Sequence, residues 1–226
     1  MFRFFSFILA SLIMFSGLAY ASKPSITTAE ASEWANSKGK ELLMTLSEKD
    51  MTIKHQKLDK MLIDYVNLDF ISKFVIGKYA KLMNSEQEAT YINLFQRYVL
   101  SLYKRFNLNI DASKVDFTIT SIVEHPKYTT VECNIDVSKL LDNPEQLPIP
   151  AKFKLLRGTN NAIQTVDLEI AEVSLVIEYR KRFYQMIRDE SEDINWFLEK
   201  FSDMVEANEN NVTANQKFKL QNFKKL

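Results

Sequence analysis

The sequence predicts an α+β fold, with helices first, an antiparallel meander in the middle and helices again at the end. Three observations carry that reading. Ser85 to Phe106 places Tyr91, Leu94, Phe95, Tyr98, Val99, Leu102, Tyr103 and Phe106 at unbroken steps of three and four, one stripe of an α-helix. Between Val115 and Ile170 the period changes to two, the signature of strands with one buried face. From Val173 the helical steps return. Helices segregated to either side of a run of strands define the class.

The chain opens on an export signal covering residues 1–21. Arg3 supplies the positive start, Phe4 to Leu18 an apolar run, and Ala19-Tyr20-Ala21 an A-x-A cleavage site. Cleavage after Ala21 leaves an exported mature chain of about 205 residues, the size of one domain or two closely packed lobes over 22–207. The 29 basic residues match the 29 acidic ones, which removes the electrostatic reason to bind nucleic acid. Cys133 is the single cysteine, so no internal disulfide can form. It shares a strand face with Val131, Ile135 and Val137, where a thiol is expected to be buried and inert.

Each element has its own signals. Thr27 with Glu30 reads as a capping box for a helix over residues 28–46. A second helix is expected from about Ile53 to Val66. Asp69 is expected to cap a short segment, Phe70 to Ile76, that leaves through Gly77 in a left-handed conformation. Ser85 with Glu88 reads as the capping box of the long helix, whose stripe is expected to cover the sheet. Five of that stripe's eight residues are aromatic, a content that suits either a dense core or a lined cavity.

Four strands follow, around Phe117 and Ile119, Val131 to Val137, Phe153 and Leu155, and Val166 to Ile170. They are separated by His125-Pro126-Lys127, by a loop from Asp142 to Pro150, and by a hairpin at Gly158 to Asn161. Val176, Tyr179, Phe183 and Ile187 mark the next helix; Ile194, Phe197, Leu198, Phe201 and Val205 mark the last. The Asn- and Lys-rich segment 208–226 reads as a disordered tail.

Catalytic and metal-binding patterns are missing from the sequence. His55 and His125 have no ligand partners at helical or strand spacing, and His55 is expected on a wet helix face. Neither G-x-S-x-G, H-E-x-x-H nor C-x-x-C occurs, and four glycines cannot build a phosphate loop. No metal or cofactor is expected, and no enzymatic activity. What remains is apolar mass: 16 Phe and 9 Tyr, many on inward stripes.

The segments Tyr65-Val66-Asn67-Leu68-Asp69-Phe70 and Lys73-Phe74-Val75-Ile76-Gly77-Lys78-Tyr79 carry a resemblance. So do Glu86-Gln87 with Phe95, Tyr98 and Tyr103, and Val166-Asp167-Leu168 followed by Val173-Ser174-Leu175-Val176, Tyr179-Arg180 and Phe183. In this order they resemble the MlaC-like (toluene-tolerance) family of periplasmic phospholipid-binding proteins of the Mla lipid-transport system. The similarity spans roughly Leu42 to Phe201. Departures are Glu172 and Ala80, where the family has glycine and tryptophan, Gln96, where it has arginine, and Asp193 to Phe197, where it has a glycine-containing motif.

The resemblance implies a shell of helices and sheet around an apolar pocket that takes phospholipid acyl chains as cargo. The expected lining from the sheet is Phe117, Ile119, Ile135, Val137, Phe153, Leu155, Val166 and Leu168. From the helices it is Phe74, Phe95, Val99, Leu102, Val176, Tyr179 and Phe183, with Arg180 at the head group. The implied partners are an outer-membrane lipoprotein–porin complex and an inner-membrane ABC transporter with its substrate-binding subunit, served by a monomer. A structural periplasmic adaptor with a packed core, or a small-molecule enzyme on a cone-shaped α+β fold, are the alternatives.

Overall fold

The computed structural model describes residues 25–104, 110–158 and 160–211. The expected signal segment, Phe106 and the side chain of Tyr103 lie outside the described residues, as does the tail beyond Asn211. No helix among the described residues is long and apolar enough to cross a membrane.

Three helices lead in: α1 (Thr28–Leu46), α2 (Met51–Tyr65) and α3 (Leu68–Ile76). The capping box of α1 forms as expected, Thr27 and Glu30 each satisfying a backbone N–H of the first turn. The cap of α3 is Asn67, whose side chain accepts from the Phe70 N–H at 3.0 Å. Asp69 lies within the first turn and pairs with Lys73 one turn on. Gly77 then ends α3 at φ +50°, a conformation that L side chains rarely adopt, and a 3₁₀ stretch runs from Gly77 to Leu82. Helix α4 (Ser85–Lys104) is capped one residue earlier than expected. The reciprocal pair is Asn84 with Gln87, each side chain accepting from the other's backbone N–H at 2.9 Å.

The sheet is an antiparallel meander of five strands in sequence order: β1 (Asp116–Glu124), β2 (Thr129–Asp136), β3 (Ile149–Arg157), β4 (Ile163–Ile170) and β5 (Val173–Ser174). The fifth strand is a two-residue pairing in which Val173 faces Ile170, so the helical steps begin only at Leu175. A short helix, α5 (Ser138–Leu141), interrupts the β2–β3 connection. Helices α6 (Leu175–Asp189) and α7 (Ile194–Asn211) close the chain. Helix α7 extends to Asn211 and buries Asn208, so order continues beyond the point where the tail was expected to begin.

The α4 stripe does not cover the sheet. It packs on α7 and α3, and its Tyr91, Phe95 and Tyr98 join Phe183 of α6 with Phe197 and Phe201 of α7 in one aromatic cluster. The helix that lies on β1 and β2 is α1. Its contact ridge is Ala31, Ala35 and Gly39, one turn apart, and a Cβ on Gly39 would already stand 3.6 Å from the Phe117 ring. Small residues let this helix approach the strands closely. A search for large apolar residues passes over such a ridge.

Candidate functional site

The buried side chains divide into two clusters. The helical one gathers residues of α3, α4, α6 and α7 around Phe183, which is fully buried. Phe183 meets Tyr91, Phe95, Tyr98, Phe197 and Phe201, all with centroids no farther than 6.2 Å. The sheet cluster consists of Ile26, Ala31, Ala35, Val131 and Leu155, with Trp34, Phe117, Ile119, Ile122, Phe153 and Ile163 packed around it.

Strand β4 connects the two. The Val66 backbone bridges to Thr165, and the Asn67 N–H donates to the Thr165 carbonyl at 2.9 Å, so the α2–α3 junction is tied to the strand. Asp167 holds the start of α6, accepting from the Ser174 hydroxyl at 2.8 Å and from the Val176 N–H at 3.4 Å. Trp34 Nε1 donates to the Ile163 carbonyl at 3.0 Å and fixes α1 to the other end of β4. The α2–α3 junction, α1 and the start of α6 are therefore all tied to this one strand.

Register sets the inner face. Phe117 pairs with Ile135, Ile119 with Cys133, Val131 with Phe153, and Phe153 with Leu168. Of the expected lining, Leu155 and Val166 are fully buried in the sheet, and Phe95, Phe183 and Val176 in the helical cluster. Phe74, Val99, Leu102 and Tyr179 are half-buried at the margin of the helical cluster; Phe117, Ile119 and Phe153 hold the same position against the sheet cluster. Ile135 and Leu168 are half-buried strand residues, and Val137 falls just past β2, before α5.

The opposite sheet face is wet. Lys152 sits between Glu132 at 3.2 Å and Glu169 at 3.7 Å, and a polar groove of about 400 Å³ runs past them to His125 and Tyr128. The rings of His125 and Tyr128 stack at 4.3 Å.

Burial favours the neutral form of several titratable groups inside the molecule. The Cys133 thiol is pushed up to about 11 and the Tyr179 phenol up to about 12, while Tyr91 is raised well above its ordinary value. His55 is half-buried rather than wet; burial lowers its pKa, and its Nε2 has no hydrogen-bond partner. No group of three or more His, Cys, Asp or Glu side chains able to hold a metal ion occurs among the described residues.

Arg180 is half-buried, with its guanidinium carbon 4.8 Å from the Phe74 ring centre and 5.1 Å from that of Tyr184. It donates to the Tyr184 hydroxyl at 2.9 Å. Tyr184 escaped the sequence reading because it stands beside the Phe183 stripe, and only the α3–α6 packing brings it over Gly77.

Residues 38–203 match the family model described as MlaC protein. The chain belongs to the MlaC family. Among solved structures, the phospholipid-binding protein from Ralstonia solanacearum, determined in complex with a phospholipid, is similar in fold. The match has a TM-score of 0.62 at 11% identity and covers 79% of this chain and 98% of that one. No curated protein matches the sequence. The MlaC match begins within α1 and ends within α7, so it takes in nearly all of the helical cluster and all five strands, including the strand that joins the clusters. Its start also excludes Ala31 and Ala35, two of the three small residues that seat α1 on the sheet.

Proposed function

We propose that this member of the MlaC family is a soluble periplasmic carrier that holds a phospholipid by its acyl chains and shuttles it between outer- and inner-membrane complexes. Family membership carries the reading, and the likeness in fold to a phospholipid-bound protein supports it. The tails would lie against the half-buried inner surface formed by Phe117, Ile119, Ile135, Phe153 and Leu168, opposite Phe74, Val99, Leu102 and Tyr179. Arg180 would stand at the head group. The partners proposed are an outer-membrane lipoprotein–porin complex and an inner-membrane ABC transporter with its substrate-binding subunit, and the carrier would act as a monomer after removal of residues 1–21.

The physical need for such a carrier is large. Each exposed CH₂ costs about 0.8 kcal/mol, so two acyl chains of about 16 carbons cost on the order of 25 kcal/mol in water. A lipid crosses an aqueous gap only if a protein covers both tails until a second apolar channel receives them. A chain of formal net charge zero also has little general attraction to anionic membrane surfaces, which suits release by docking.

The chemistry of the interior favours binding over catalysis. Burial keeps Cys133 and Tyr179 protonated at neutral pH, which leaves neither as a nucleophile or a base. A transfer assay tests the proposal: mature protein is expected to speed the movement of a fluorescent phospholipid from donor to acceptor vesicles. Transfer at the protein-free rate, from a folded sample, would refute it.

A further inference from the structure

The surroundings of Arg180 contain a feature that family membership does not explain. Gly77, at φ +50°, brings the chain beneath α6 so closely that an added Cβ would collide with the Tyr184 hydroxyl and stand 2.8 Å from Arg180 Nη2. The next residue, Lys78, donates its backbone N–H to that same hydroxyl at 3.1 Å. Its ammonium lies 4.6 Å from the Tyr79 ring centre and 6.0 Å from that of Tyr184. Tyr184 Oη thus accepts twice, from Lys78 and from Arg180, and its own proton is left to donate.

Two cations converge on one phenol, each resting on aromatic faces rather than on a carboxylate. Their neighbours are neutralised: Lys73 pairs with Asp69 at 3.2 Å and Lys181 with Glu178 at 2.6 Å. Lys78 and Arg180 form no ion pair among the described residues. A guanidinium has five N–H donors, and Tyr184 takes one. A phosphate oxygen is the acceptor whose geometry a guanidinium fork matches.

We propose that Lys78, Arg180 and Tyr184 form a phosphate-binding site that selects acidic phospholipids. The inference rests on the carrier reading above. A phosphodiester neutralises one of the two charges. The ammonium of an ethanolamine head group then meets the remaining cation, whereas a glycerol head group brings only hydroxyls. The site therefore favours phosphatidylglycerol over phosphatidylethanolamine.

The mature protein is loaded from vesicles containing equal amounts of the two lipids with identical acyl chains, reisolated, and its bound lipid read by native mass spectrometry. Phosphatidylglycerol is expected to exceed phosphatidylethanolamine by about fivefold or more, the scale of one partly screened charge contact. Because the Lys78 side chain is exposed, Lys78→Gln is expected to fold and to reduce the ratio, and Lys78→Glu to reduce it further. Bound lipid at an equal ratio in the wild type, or an unchanged ratio in both variants, overturns the head-group inference alone. A wild type that takes up no lipid overturns the carrier reading and this inference with it. A phosphate adduct seen in inorganic phosphate without vesicles, lost in Lys78→Gln and unaccompanied by lipid enrichment, would assign the cluster to free phosphate and overturn it as well.

Discussion

The ring of Phe183 meets that of Phe201 edge to face, with centroids 4.9 Å apart and planes at 79°. This contact joins α6 to α7 at the centre of the helical cluster, where both side chains are fully buried. Phe183→Ala is expected to cost about 3–5 kcal/mol, the usual range for emptying a buried aromatic site. Phe183→Leu should cost less, because it keeps most of the volume. Urea denaturation checks both, and a loss under about 1 kcal/mol for the alanine variant would show that this cluster is not the core.

Gly77 supports a second prediction. At φ +50° a Cβ is strained in any surroundings, and here it would also strike Tyr184 and Arg180. Gly77→Ala should therefore destabilise the fold by about 1–3 kcal/mol. It should also raise the mobility of the Arg180 side chain, visible in its guanidinium NMR signals.

Val176 is buried at the first turn of α6, beside the end of β4 that Asp167 ties down. Val176→Asp would place a second carboxylate in apolar surroundings next to the first. The expected outcome is a folded protein, by circular dichroism, that no longer co-purifies with lipid. A folded variant that still carries lipid would remove Val176 from the pocket wall.

Much of this architecture was legible in the sequence, because periodicity reports which residues share a face. The extent of α1, the stripe of α4 and the alternation of the strands all came through. Periodicity does not report what a face meets. The α4 stripe turned to α7 rather than to the sheet, since the partner that seals β1 and β2 is a ridge of Ala31, Ala35 and Gly39 with little apolar area to betray it. The candidate site was legible as residue types. Its division was not: Phe95 and Phe183 look like Phe74 in sequence, yet packing buries the first two completely and leaves the third half open under Arg180. The Asn84–Gln87 cap was displaced by one residue for a simpler reason, because asparagine caps as well as serine.

Acid sensitivity follows from Glu30, which accepts from Arg157 at 2.6 Å and from the backbone and hydroxyl of Thr27. Arg157, with these bonds, lowers the Glu30 pKa from 4.5 to about 2. A carboxylate with a depressed folded pKa adds stability that is complete above the unfolded value and is lost as pH falls through the folded one. The contact tying α1 to β3 should therefore weaken between pH 4.5 and about 2. Denaturation midpoints of the wild type should fall more steeply through that window than those of Glu30→Gln. Parallel curves would show that this pair contributes nothing.

Cys133 gives a probe of native burial. Its thiol, pushed up to about 11 and almost fully buried, should not react with a disulfide reagent at pH 8 until the protein is unfolded. Fast reaction in the native state would show that the β2–β3 face opens in solution.

The central claim is that the apolar surface between the two clusters holds a lipid. Native mass spectrometry of the mature chain, isolated from cell envelopes without detergent, tests it most directly. An added mass equal to one phospholipid, released on denaturation, is the predicted result. A bare protein mass from a folded sample would contradict it and leave Phe117, Phe153, Phe74 and Tyr179 as the margins of two ordinary cores.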